Sequence, residues 1–428
     1  MARRPVDVLM VGAGEYTAGF VQTAHGAAAD KPAGVVALTC FDLRRSGLVG
    51  RMVLSDRCGT RMPAVRATMD AKIGKAYKGL DLTIECFPAD DALATMSPGD
   101  AAIIFTPDDT HFAIASACVR AGLHTLVAKP LVRTLEHHRQ LVEEAEAAGV
   151  MLAVEYHKRF DPIYSDARNR ARGLGPFSYF YSYMAQPKVQ LETFRGWAGR
   201  SSDINYYLNS HHIDIHNWFA GHAARPVLVS ALAAAGVAEG VVGRPCEDTI
   251  TLSARWEARD GGGVGTAVYT ASWIAPKGEC HTRQHLHYMG QRGELHADQA
   301  HRGYNTATDD AGYAALNPLY MRYVPDAAGR FAGQTGYGYI SIAKFIDAAR
   351  DLRDGEVSLE AVRQEGQLAL AQDTLAVTAI LQAGRLSLDS GGAAVEILYD
   401  AAGAPSGVRV AGTGEAEAAG AGAAAAQT

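Results

Sequence analysis

Several groups of residues in this chain have the types and spacing that chemistry needs. Gly12-Ala13-Gly14 follows a short apolar run, Val6 to Val11. Two glycines there allow a tight strand-to-helix turn and let the backbone approach a pyrophosphate, which the free N–H groups of the new helix then hold. Glu15 and Tyr16 open that helix and belong to the same candidate set. The third glycine of a GxGxxG pattern falls on Thr17, and Gly19 comes two residues late. Asp42 ends the run Gly34 to Asp42, read as the second strand, where a carboxylate accepts hydrogen bonds from ribose hydroxyls. That favours NAD as cofactor. Arg44 and Arg45 follow at once and could hold a 2′-phosphate, so NADP stays possible.

Further along, Thr106-Pro107-Asp108-Asp109-Thr110-His111 and Lys129-Pro130 each follow a strand-like run. Ligands of open α/β sheets bind at such strand ends. Lys129 there can contact both nicotinamide and substrate, polarise a reacting oxygen and assist its deprotonation. The stretch from Asn205 to Trp218 carries His211, His212 and His216. On a helix, Tyr207, His211 and Asp214 share a face. His211 is then placed to take a hydroxyl proton, with Asp214 or another group orienting its ring. Zinc at His212 and His216 is the weaker reading, since no HExxH glutamate or cysteine pair supports it; a polar cluster at a domain junction is the plain one. His157 and Arg159 lie just past the sixth strand, where they can meet substrate. Trp273, Arg195 and Trp197 are more simply structural. Cys280/His281 and His285/His287 invite a metal reading, but any i, i+2 pair shares a strand face. No metal is assigned.

The elements that must hold these residues follow from hydrophobic pattern. Short continuous apolar runs (Val6–Val11, Gly34–Asp42, Leu82–Cys86, Ala101–Thr106, His124–Ala128, Met151–Glu155) alternate with helical stretches such as Ala113–Ala121 and Leu135–Ala148. Strands buried on both faces read this way, so the first third predicts a doubly wound parallel sheet. Tyr179–Ala185, Thr249–Arg255, Thr266–Trp273 and Thr282–Met289 alternate polar and apolar residues, which predicts an antiparallel sheet with one covered face. The expected division is 1–155, a dinucleotide-binding domain; 156–388, an α+β domain; and 389–428, an extension that is Ala/Gly-rich and expected to be disordered from about residue 413.

A length of 428 residues suits two or three domains. The net charge of −6 argues against a nucleic-acid or anionic-membrane binder, since both need a positive field. No apolar run approaches the ~18 residues of a membrane span, and the N-terminus lacks a secretory h-region. Six scattered cysteines without a CxxC pair fit reduced thiols and a cytoplasmic location.

Taken in order, Gly12-Ala13-Gly14, Thr106-Pro107-Asp108-Asp109-Thr110-His111, Ala128-Lys129-Pro130, Tyr156 to Pro162 and Gly290 to Leu295 resemble the glucose-fructose oxidoreductase/inositol dehydrogenase/MocA-type family over roughly Val6 to Leu388. The resemblance implies a Rossmann domain followed by an α+β domain with a large, mostly antiparallel open sheet. That sheet would also form the contact of a homodimer or homotetramer. It further implies NAD(P)-dependent oxidation of a small polyhydroxylated substrate: a sugar, sugar derivative or cyclitol. Gly12, Gly14, Glu15, Tyr16, Asp42, Arg44, Thr106, Pro107, His111 and Lys129 would hold the cofactor; Lys129, His157, Arg159, Tyr207, His211 and Asp214 would hold the substrate. His211 takes the family's acid/base place, Lys129 polarises the oxygen, and Tyr207 stands where the family has Asp, so the proton relay would run through Tyr207 and Lys129, with Asp203 one turn back. Ala128 stands where the family often has Glu, which removes a carboxyl. Two alternatives remain: an enzyme that recycles a bound cofactor internally, and a non-catalytic sensor on the same scaffold.

Overall fold

The structure, a computed structural model, describes residues 4–21, 31–278, 280, 282–310 and 312–413. Six parallel strands form the first sheet: β1 (Val6–Val11), β2 (Val49–Asp56), β3 (Glu85–Pro88), β4 (Ala101–Ile104), β5 (His124–Ala128) and β6 (Leu152–Glu155). Their spatial order is β6-β5-β4-β1-β2-β3. The order reverses between β1 and β4, and a crevice opens at the strand ends there.

One expected strand is a helix. Gly34–Asp42 contributes to the helix Val36–Arg45, and β2 lies further on, at Val49–Asp56. Eight of that helix's ten residues, Val36 to Leu43, are buried. A helix buried on nearly all sides shows little face periodicity to distinguish it from a buried strand. By contrast, His124–Ala128 and the helix Leu135–Ala148 form as expected. Thr134 caps that helix and Gly149 ends it in the left-handed conformation, φ 66°.

The second sheet contains β7 (Phe177–Pro187), β8 (Ala224–Ala235), β9 (Glu247–Ala258), β10 (Val264–Ala275), β11 (Arg283–Gly290) and β12 (Gly293–Asp298), in the order β12-β11-β7-β10-β9-β8. Only β7 and β10 pair in parallel. Alternate residues point to one side and bury Phe180, Trp256, Tyr269 and Trp273 against the helices Ser210–Ala220 and Leu375–Asp389. A small ribbon follows, β13 (Asn305–Thr308) and β14 (Gly312–Ala315).

The chain then returns to the first lobe. The helix Tyr337–Arg353 lays Ile342, Phe345 and Ile346 on the β1 face that carries Val6 and Val8. The short strand β15 (Ala369–Leu370) pairs antiparallel with β6. Finally β16 (Val395–Tyr399) and β17 (Pro405–Val410) extend the second sheet beyond β8. Part of the expected extension is therefore sheet; the Ala/Gly-rich stretch from residue 414 lies outside the described residues.

Candidate active site

The glycine turn closes at the end of β1. Gly12 has φ +96°, and a Cβ there would stand 2.1 Å from the Phe105 carbonyl oxygen. No residue with a side chain fits this left-handed position against β4. Gly14 precedes the helix Glu15–Ala18, and nothing lies within 4 Å of where its Cβ would be. The backbone is thus bare on the crevice side. The Glu15 side chain turns to the Lys31 N–H at 3.1 Å, and Tyr16 stacks on Phe105 with ring centroids 4.5 Å apart.

The carboxylate at the end of the second strand is Asp56, not Asp42. Asp56 Oδ2 accepts from the Ala13 N–H at 3.1 Å, and Oδ1 from the Cys58 N–H at 3.0 Å. Burial raises its pKa, but these bonds and the Arg61 guanidinium outweigh it and hold the carboxyl below the usual range. Asp42 sits in the helix Val36–Arg45 instead, 1% exposed, bonded to Arg45 at 2.6 Å and to the Tyr339 hydroxyl at 3.0 Å. Arg44 reaches the carbonyls of Gly50 and Thr83. Neither lines the crevice, because their segment is a helix behind the sheet and not its second strand.

The loop after β4 reaches the crevice through Thr106 and Pro107. His111 does not. It is fully buried, with its ring nitrogens 2.9 Å from the carbonyl oxygens of Thr106 and Pro130. It braces the two loops from behind rather than touching a ligand.

Lys129 follows β5 directly and enters the crevice. Its Nζ donates to the Tyr207 carbonyl and lies 3.9 Å from the Tyr207 ring centroid. Burial lowers its pKa to about 7, against the attraction of Asp108. Tyr207 belongs to a wide π turn, Asn205–Asn209, that leads into the helix Ser210–Ala220. Tyr207 and His211 face the crevice, but Asp214 points away and pairs with Arg159 at 2.6 and 2.8 Å. Both partners are almost wholly buried. A buried carboxylate requires such a partner, so Asp214 and Arg159 brace the second lobe against itself, and neither lines the crevice.

His211 Nδ1 has no hydrogen-bond partner among the described residues. Burial, with Lys129 and Lys158 nearby, keeps its pKa well below 6.5, so the ring is neutral. His157 lies with its centroid 5.1 Å from that of His211 and stacks on Tyr337 at 5.6 Å. Of the other histidines in this helix, His212 meets the Tyr164 hydroxyl at 3.2 Å and His216 the Tyr269 hydroxyl at 2.6 Å. Asp203 is tied to Arg385 on the far side of the π turn. Gly12, Gly14, Asp56, Lys129, Tyr207 and His211 all line one crevice of about 1600 Å³.

Sequence reasoning missed three further lining residues. Lys158 donates to the side-chain carbonyls of Gln284 and Gln299, and burial lowers its pKa to about 7. Its signal was present in the junction motif Tyr156 to Pro162. Glu155, at the end of β6, is buried, accepts from Ser341 at 2.6 Å and is pushed up to about 7. It stands directly opposite Ala128 across the β5–β6 ladder, so a carboxyl occurs one strand away from the position that lacks it. Tyr320 comes from beyond the second sheet and contacts the Tyr16 hydroxyl at 3.2 Å; no local pattern announced it.

A glycine turn, a bare backbone and an ionised carboxylate at the next strand end have the geometry of a dinucleotide-binding site. Residues 6–156 match the oxidoreductase family with an NAD-binding Rossmann fold (GFO_IDH_MocA). It is 30% identical over 161 residues to UDP-N-acetylglucosamine 3-dehydrogenase of Acidithiobacillus ferrooxidans, covering 37% of this chain and 47% of that protein. It is 36% identical over 91 residues to the NAD(+)-dependent scyllo-inositol 2-dehydrogenase of Bacillus subtilis, covering 21% of this chain and 27% of that one. The chain thus aligns with less than half the length of these curated relatives. The crystal structure of GenD2 from gentamicin A biosynthesis, in complex with NAD, superposes with a TM-score of 0.64 at 22% identity, over 92% of this chain and 97% of that one. The fold is shared nearly end to end. No described helix is long and apolar enough to cross a membrane.

Proposed function

We propose that this protein is an NAD-dependent dehydrogenase that oxidises a secondary hydroxyl of a sugar, sugar derivative or cyclitol. One observation carries the reading. An amine from the first lobe, Lys129, and a neutral imidazole from the second, His211, line the same crevice as the glycine turn. The names of the two curated relatives support the polyol class.

Gly12 and Gly14 would hold the pyrophosphate against bare backbone, and Asp56 the adenosine ribose. A negative charge there favours a free 2′-hydroxyl over a 2′-phosphate. NAD, when bound, supplies a hydride acceptor. His211 then takes the hydroxyl proton on a neutral ring nitrogen. Lys129 hydrogen-bonds the reacting oxygen and offsets the negative charge that develops on it. The Tyr207 carbonyl and ring hold that amine in place, a positioning role in place of an acid–base one. His157 and Lys158 line the substrate end. The open face of the second sheet carries half-buried Tyr179, Tyr181 and Tyr183, which supports a contact between copies there.

The test is NADH formation, followed by absorbance, across a panel of inositols, aldoses and sugar nucleotides. Turnover with NAD that is lost in Lys129→Met and His211→Ala is expected. Product without net NADH would replace the reading with internal recycling of the cofactor. Binding without any turnover would replace it with a sensor.

A further inference from the structure

The outer face of the β11–β12 hairpin carries a cluster that the crevice chemistry does not use. His287 and His296 stand opposite each other in the ladder. Glu294 lies two residues before His296 and so on the same side of β12. The two imidazole rings stack with centroids 4.0 Å apart and 17° between planes. That stacking turns both Nε2 atoms towards one carboxylate. His287 Nε2 is 2.8 Å from Glu294 Oε2, and His296 Nε2 is 3.9 Å from Glu294 Oε1. One donor atom from each of the three residues lies within 4.8 Å of the others, and no second such group of three His, Cys, Asp or Glu occurs among the described residues.

We propose that His287, Glu294 and His296 form a binding site for a borderline divalent metal ion, zinc being the best match, on the outside of the second sheet and apart from the crevice. Two imidazole nitrogens and one carboxylate oxygen are a zinc donor set. Metal–ligand bonds of about 2.0–2.2 Å in tetrahedral array put donor atoms about 3.3 Å apart, and the observed 2.8 and 3.9 Å fall on either side of that value. Small side-chain rotations suffice to close the set. His287 is half-buried while Glu294 and His296 are exposed, so the ion has a path in; His287 pairs with Tyr181, at the edge of the face proposed for contact between copies, and the fourth position is open to water or to a group from a second copy. The sequence hid this site because only the hairpin register joins residue 287 to residues 294 and 296. On the same strand, Gln284 faces inward and holds Lys158, so an ion here would clamp the strand that supports one wall of the crevice.

The experiment is calorimetric titration of ZnCl2 into EDTA-treated, tag-free full-length protein, repeated with CoCl2 and read by visible absorption. Wild type is expected to take one equivalent more than the His287→Ala/Glu294→Gln/His296→Ala variant. Each single substitution should weaken binding by at least about tenfold. Half-buried Cys58 and Cys86 are common to all variants, so the difference is the readout. Glu294→Gln keeps the size of an exposed side chain, which guards against a folding failure, and zinc should raise the melting temperature of wild type but not of this variant. Equal uptake by wild type and the triple variant, or no uptake by wild type, overturns the proposal.

Discussion

Replacing Lys129 by Met should change how stability depends on pH. The folded protein holds this amine at a pKa of about 7, against 10.5 for a free lysine, because burial opposes its charge. Between pH 7 and 10.5 the unfolded chain therefore carries a proton that the folded chain lacks. Stability must rise with pH across that window, and the group costs stability below it. One pKa unit corresponds to about 1.4 kcal/mol. Between pH 7.5 and 9.0 the unfolded lysine stays almost fully charged and the folded one is mostly neutral. The wild type should thus gain about 2 kcal/mol from this residue. Lys129→Met removes that gain, while Lys158, which burial holds down more than Lys129 does, keeps most of its own contribution. Urea unfolding of both proteins at the two pH values gives the double difference. A difference near zero would mean that Lys129 is an ordinary solvated lysine, and the argument for a desolvated amine in the crevice would fail with it.

Other substitutions separate working residues from bracing ones. His211→Asn should lower kcat by about 10²–10⁴-fold and remove an acidic limb of the kcat/KM profile that lies well below pH 6.5, since the ring is already neutral above it; an unchanged profile would exclude His211 as the base. Asp56→Ala should weaken NAD binding by about 1–3 kcal/mol, whereas Asp42→Ala should leave the dissociation constant alone and lower the melting temperature, as measured by fluorescence titration and thermal denaturation. Arg159→Ala leaves Asp214 buried without its partner and should cost about 3–5 kcal/mol of stability, read by denaturant titration; a stable variant with a raised KM would return Arg159 to the substrate.

The first sheet was legible where strands are short, apolar and punctuated by turns, as at His124–Ala128. It was not legible at the second strand. The helix Val36–Arg45 is buried on nearly every side and mimics a strand, while Gly50 and Arg51 make the true strand look like a loop. That single exchange moved the ribose carboxylate from Asp56 to Asp42 and brought Arg44 with it. The motif loops led to Lys129, Thr106 and Pro107, because strand ends of such a sheet meet at a crevice whatever the side chains. His111 shares their motif but lies one turn deeper, and spacing alone does not separate a brace from a ligand. In the histidine helix the spacing put Asp214 beside His211, three residues on and about 60° round the axis, but the buried Arg159 guanidinium takes its carboxylate away from the crevice.

The path of the chain has a mechanical consequence. It passes from the first lobe to the second after β6, comes back through the helix Tyr337–Arg353 and β15, and leaves again into the helix Leu375–Asp389. Two lobes joined by one strand can swing apart like a clamshell, whereas lobes laced three times, with β15 paired to β6, resist any wide hinge. Exchange of a dinucleotide must then rely on movement of segments at the rim of the crevice. A cross-link placed between the lobes at the seam should leave turnover intact, and one that pins the rim should stop it.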